Sequence, residues 1–268
     1  MTRLHYTLAD TQQWAAFSGD DNPIHFSLSA ALAMGSHQLS VHGMRALLDV
    51  KHHTQARLPS PLPGSEGYLK CQVRLRRPLW CDTDWLLTPQ TAKNRVLSAA
   101  MVSHPQGGEA CLSCQMSLAA EHESLVDKQP SALAPETLLA LQSHFSLVWP
   151  GLAQWQFLDA LLFRQLIYDE TLLRQPNIAA LIGQGEASLQ QIFTHYPVLQ
   201  THQEVIFDVR LADKRPLLHP DSLSLWLLPS LVIGQVETGA VVRITGVAQV
   251  DDMIMTNAIT LKIGPVTN

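Results

Sequence analysis

The sequence has no run of basic residues longer than two, as at Arg76-Arg77, and its net charge is −5. Binding a phosphate backbone takes clustered Lys and Arg, so no nucleic-acid partner is expected. Long apolar runs are also missing. The most apolar stretch, SLSLWLLPSLVIG (Ser222 to Gly234), is too short to span a bilayer, and Pro229 interrupts it. The opening MTRLHYTLADTQQW has no apolar h-region, so no signal peptide is expected, no membrane partner, and a cytoplasmic location. Cysteine is scarce, with four in 268 residues. Cys111 and Cys114 form CLSC inside EACLSCQMSLAA, which alternates like a strand. Residues three apart on a strand point to opposite faces and cannot easily grip one metal. With no second CxxC or HxxxH, the expectation is free buried thiols in a reducing compartment, no metal and no cofactor.

What is present is an ordinary globular composition, 46% hydrophobic and 15% charged, in a chain long enough for two domains. TLADTQQWAAF, opening with Thr7 and Asp10, reads as a short capped helix ending at Gly19. SLSAALAMG reads as a second short helix, and VHGMRALLDVKHHTQAR as a longer one that opens with Gly43 and precedes a proline-rich loop. From Tyr68 to about Ala120 the pattern turns strand-like in four segments separated by Pro, Gly and Asn turns. The polar, proline-containing Glu121 to Pro135 reads as a linker.

The second half repeats this plan. QVRLRRPLWCDTDWLLTP (Gln72 to Pro89) aligns with DVRLADKRPLLHPDSLSLWLLP (Asp208 to Pro229), and PGLAQWQFLDALLFRQLIYDE supplies a long helix upstream. AVVRITGVAQV and MIMTNAITLKI follow as strands. Two copies indicate a duplicated domain rather than a solenoid. The expected division is 1–122, a linker over 123–135, and 136–268. The stretch from about Tyr168 to Gln203 has no counterpart in the first half and no assigned role. Trp149, Trp155 and Phe157 are expected in the core.

One segment has no partner in the second half: FSGDDNPIHF, Phe17 to Phe26. Pro23 fixes its own φ and pushes Asn22 towards extended backbone, which stiffens the turn. Such a turn can bring the Asp20 carboxylate and the His25 imidazole to one small volume, where they would hold a water for acid/base chemistry. On residue types alone, an Asx-type turn that caps a helix accounts for these residues as well. Further along, Gly43 at a helix start offers a free backbone N–H at the positive end of the helix dipole. The absent Cβ would let a carbonyl oxygen approach closely.

The combination resembles the MaoC-like dehydratases, also known as (R)-specific enoyl-CoA hydratases. Ser18, Gly19, Asp20, Asn22, Pro23 and His25 match their S-G-D-x-N-P-x-H motif, and His42, Gly43 and Met44 match the V/A-H-G-M helix start. The seventeen residues between His25 and Gly43 match the family spacing. The resemblance is strong over about 4–50 and looser from Tyr68 to Ala120. It implies an α+β double hot-dog, two long helices each wrapped by a curved antiparallel sheet, with a degenerate second copy. It also implies Asp20 and His25 as the catalytic pair, Asn22 orienting them, Gly43 binding the thioester carbonyl, and His42 and Met44 contacting substrate. The implied reaction is addition or removal of water on a 2-enoyl or (R)-3-hydroxyacyl thioester carried by CoA or an acyl carrier protein, in a homodimer without a cofactor. A hot-dog thioesterase and a non-catalytic acyl-thioester-binding protein are the competing readings. The sequence departs from the family after the motif, where Phe26-Ser27 replaces the usual H-x-D continuation, and before V-H-G-M, where GSHQLS lacks the usual aromatic. Both departures bear on substrate choice.

Overall fold

The computed structural model describes residues 1–33, 35–62, 67–119, 130–131, 133–182, 192, 196–213, 219 and 222–264. Of the expected linker, residues 123–129 and 132 lie outside the described residues, as does the Arg215–Leu217 part of the repeat skeleton, and the linker's last residue, Pro135, opens a helix. Among the described residues no helix is long and apolar enough to cross a membrane.

The first half contains β1 (Thr2–His5), α1 (Leu8–Ser18), α2 (Leu28–Ala33) and α3 (Gly43–Gln55), followed by β2 (Tyr68–Leu75), β3 (Asp84–Gln90), β4 (Val96–Ser103) and β5 (Leu112–Ala119). The second half opens with α4 (Pro135–Val148), α5 (Gln154–Tyr168) and α6 (Pro176–Ile182). Its strands are β6 (Val198–Asp208), β7 (Leu223–Leu227), β8 (Leu231–Gln235), β9 (Gly239–Val250) and β10 (Met253–Ile263). The ten strands among the described residues form one sheet in the order β1-β3-β4-β5-β2-β6-β10-β9-β7, with β8 paired to β9.

This order carries the duplication. Outward from β2 the sheet runs β5, β4, β3; outward from β6 it runs β10, β9, β7. The two half-sheets meet where β2 pairs antiparallel with β6, from Tyr68 opposite Asp208 to Arg74 opposite His202. One long helix, α3 or α5, lies on the inner face of each half and buries most of its length. The fold is a double hot-dog. Trp155 on α5 is buried and stacks face to face on Phe207 of β6, with ring centroids 4.4 Å apart, while Trp149 and Phe157 are buried nearby.

The halves differ in detail. The W-L-L match is structural, since Trp85 lies in β3 and Trp226 in β7. The V-R-L match is not. Val73–Leu75 closes β2, whereas Val209–Ala212 is a 3-10 turn after β6. There the Asp208 carboxylate accepts from the Arg210 backbone N–H at 2.9 Å and from its guanidinium, which ends the strand. Strand β6 therefore starts ten residues upstream of the aligned skeleton, inside the stretch to which no role was assigned.

The inner faces meet around a polar group closed to solvent. Lys51 of α3 donates to Asp159 of α5 and, at 2.6 Å, to Gln203 Oε1 of β6. Gln203 and Asn257 each donate an amide N–H to Asp159 Oδ1, at 2.7 and 2.8 Å. The four cysteines are free and buried, as expected, with Cys71 and Cys114 Sγ 3.5 Å apart across β2 and β5.

Candidate active site

The site begins at the end of α1. Thr7 caps this helix, its N–H and hydroxyl both donating to Asp10 Oδ2 at 2.9 and 3.0 Å. Gly19 ends it with φ +75°, a left-handed conformation that glycine adopts without strain. The next residues tie themselves down locally. The Asp20 N–H donates to Ser18 Oγ at 3.1 Å, and Asp20 Oδ1 accepts the Asn22 N–H at 3.3 Å. Asn22 Oδ1 accepts the Ile24 N–H at 3.3 Å and caps the 3-10 turn Pro23–His25. The turn reading and the acid/base reading are therefore compatible, because the Asx-type bonds are what aim His25 inwards.

His25 is buried, and its Nδ1 lies 2.7 Å from the Ser40 carbonyl oxygen. A carbonyl only accepts, so Nδ1 carries the proton and Nε2 is left with a bare lone pair. Burial and the neighbouring His42 push the His25 pKa down to about 3, so the ring is neutral at pH 7. Burial likewise raises the Asp20 pKa, against the pull of His25 and the Asn22 N–H. His42 is buried too. Its Nε2 lies 2.9 Å from the Asp20 carbonyl oxygen and its ring centroid 3.8 Å from that of His25, with a pKa near 3. One ligand-type atom from each of Asp20, His25 and His42 lies within 4.8 Å of the others. His42 Nδ1 is buried without a hydrogen-bond partner among the described residues.

Asp20, Asn22, His25, Gly43 and Met44 line one cavity of about 230 Å³. Gly43 is the first residue of α3, so its N–H is among those an α-helix leaves without an internal acceptor. A Cβ there would stand 2.6 Å from Leu75 Cδ2, the far end of a flexible side chain, so a larger residue would need Leu75 to move. His42 does not line the cavity. It packs behind Asp20 and His25, where it holds the Asp20 backbone, although the sequence suggested a place against substrate.

Other contributors had no sequence signal of their own. Ser40 sets the tautomer of His25 from fifteen residues away. Phe163, Leu166 and Ile167, on one face of α5, join Val198 and Leu199 of β6 and Ile259 and Leu261 of β10 as apolar walls. The second half thus builds much of the cavity whose polar end the first half supplies. It also braces the loop: Arg164 donates to the Phe17 carbonyl, and its guanidinium stacks 4.4 Å from the Tyr168 ring, which covers Gly19.

No family model matches this sequence and no curated protein matches it. Among solved structures, a MaoC-like dehydratase is similar over 98% of this chain and 95% of its own, at 9% identity and a TM-score of 0.49. An acyl-CoA thioesterase II from Mycobacterium marinum is similar over 84% and 89%, at 14% identity and a TM-score of 0.41. An R-hydratase from Pseudomonas aeruginosa is similar over 50% and 88%, at 22% identity and a TM-score of 0.32. The structural neighbours of this double hot-dog chain thus include MaoC-like dehydratases and R-hydratases alongside thioesterases.

Proposed function

We propose that this chain is a hydro-lyase that adds water to, or removes it from, a 2-enoyl or (R)-3-hydroxyacyl thioester. The observation that carries the reading is the meeting of Asp20, His25 and the Gly43 helix start at the polar end of one apolar cavity. Hydration then runs as follows. A water held between Asp20 and His25 attacks C3 and gives one proton to the bare His25 Nε2. The π electrons move through C2 onto the thioester oxygen, where the Gly43 N–H meets the developing charge. The Asp20 carboxyl, kept towards its neutral form by burial, protonates C2, and His25 returns its proton to Asp20. Water is consumed whole, and no redox step or metal is needed. Asn22 holds both groups through the turn it caps, and Met44 and the apolar walls take the acyl chain.

The test is turnover of short and medium 2-enoyl-CoA esters, followed by loss of the conjugated thioester absorbance. Asp20→Asn and His25→Ala should each lower kcat by about 10²–10⁴-fold. A wild type inactive on every enoyl thioester, with CoA and carrier-protein forms both tried, sinks the proposal. Release of free thiol without reversible hydration would favour the thioesterase instead.

A further inference from the structure

Strand β6 breaks its alternation where it reaches the cavity. Directly opposed residues of an antiparallel pair point to the same face, so β10 reports which way each β6 side chain turns. Gln203 lies opposite Ile259 and Gln200 opposite Leu261, and both β10 residues are buried and line the cavity. Residues three apart on a regular strand face opposite ways. Between these two pairs β10 has only Thr260, opposite His202, so Thr201 is an extra residue on β6. This β-bulge turns Gln200 back to the inner side, into the cavity that Asp20, His25 and Gly43 line. Without the extra residue, Gln200 would share the outer face with His202 and Glu204.

Gln200 has little to hold there. Among the described residues its amide makes one hydrogen bond, from Nε2 to the Met44 thioether sulfur at 3.5 Å, and a thioether is a weak acceptor. Leu75, Met44 and Leu261 give this part of the cavity an apolar lining. A carboxamide set among apolar side chains without a good partner is unfavourable, and a bulge disrupts the ladder besides. A bound group that accepts from the amide would offset both. The amide is placed for one: its Oε1 stands 3.7 Å from the point a Cβ would occupy on Gly43. The last torsion of a glutamine side chain is broad and roughly two-fold, so a half-turn exchanges Oε1 for Nε2 and breaks only the bond to sulfur.

We propose that Gln200 is a catalytic residue, a second hydrogen-bond donor to the thioester oxygen alongside the Gly43 N–H. The oxygen then accepts one bond from each half of the chain, a main-chain N–H at the start of α3 and a side-chain N–H from β6. Two donors aimed at one oxygen favour the charge that arrives there when water adds at C3 over the neutral carbonyl that precedes it. The inference rests on the hydro-lyase reading and gives the second half a part in the chemistry as well as in the walls. A glutamine that merely held Met44 would affect stability and leave the chemical step alone.

Steady-state hydration of an enoyl-CoA tests this. Gln200→Leu removes the donor at similar size and should lower kcat by about 10²-fold while KM changes less than about threefold. Gln200→Glu keeps the shape, and at a pH where it is ionised it should be at least as slow, because a carboxylate then faces the developing charge. Should Gln200→Leu fold poorly by circular dichroism, Gln200→Met carries the same expectation. A second readout needs no turnover. The infrared carbonyl band of a carbon-13-labelled enoyl-CoA, bound to the slow Asp20→Asn variant, should lie below that of the free ester. Adding Gln200→Leu should move it back towards the free position. A kcat within about threefold of wild type in Gln200→Leu, or a rise in KM alone, overturns the proposal and leaves the hydro-lyase reading in place. If the wild type hydrates no enoyl thioester, that reading fails and the band decides Gln200 alone: a shift that depends on Gln200 upholds it as the carbonyl donor, and a band that ignores it overturns the assignment.

Discussion

Lowering the pH from 7 to 5 is expected to weaken the fold through two imidazoles at the site. His25 and His42 are held neutral, each with a pKa of about 3, while an unfolded histidine titrates near 6.5. Both are depressed, so the unfolded chain binds protons that the folded chain excludes. The stability they contribute is complete above about pH 6.5 and is lost as pH falls from there towards 3. At pH 5 the loss is about 2 kcal/mol for each ring, or roughly 4 kcal/mol together. That is a large part of the ~5–15 kcal/mol that separates folded from unfolded domains. Asp20 and Asp159, both raised by burial, act in the opposite sense and offset part of it. A variant isolates one ring. His42→Gln keeps an amide N–H near the Asp20 carbonyl but cannot titrate. Urea midpoints at pH 7, 6 and 5 should show the variant losing about 2 kcal/mol less than the wild type over that range. Equal losses in the two proteins would refute the claim that burial keeps His42 neutral.

Two further outcomes follow from contacts between the halves. Asp159→Ala strands the Lys51 ammonium in a closed interior and should destabilise by about 3–5 kcal/mol, while Lys51→Met/Asp159→Leu should recover at least half of that. A double variant as unstable as the sum of the single ones would show that the pair is not coupled. Gly19→Ala places a Cβ against the Tyr168 hydroxyl and ring at φ +75°. It should destabilise by about 1–3 kcal/mol and lower kcat by shifting Asp20, with Tyr168→Ala in the same chain relieving the collision but not the backbone strain. An unchanged midpoint and kcat in Gly19→Ala would remove the brace from the account.

The parts of this molecule legible in its sequence are those built from near neighbours. Asp20, Asn22, Pro23 and His25 form their turn with bonds spanning two or three residues, and Gly43 opens its helix where an apolar-periodic run begins. The four strands from Tyr68 to Ala119 announce themselves by alternation. Strand β1 is too short to show a period, and β8 is exposed along most of its length and is placed by its pairing with β9. Helix α4 carries apolar residues along its length but has no assigned place in the expected repeat. At the site, the Ser40 carbonyl that fixes the tautomer of His25, the α5 wall and the Arg164–Tyr168 brace are set by tertiary packing, which no local pattern encodes. His42 was legible as a member of the motif, but its position behind the acid/base pair was not.

The β2–β6 seam also has a bearing on how the chain is made. Both side chains of the acid/base pair emerge from the ribosome with the first half, and β2 then waits as an open edge for a partner that begins roughly 120 residues later. At synthesis rates of about 5–20 residues per second the wait is on the order of ten seconds. During that interval the nascent first half has an unpaired strand and an acyl cavity missing its α5, β6 and β10 walls, so a truncated product would be an aggregation hazard carrying an unfinished site.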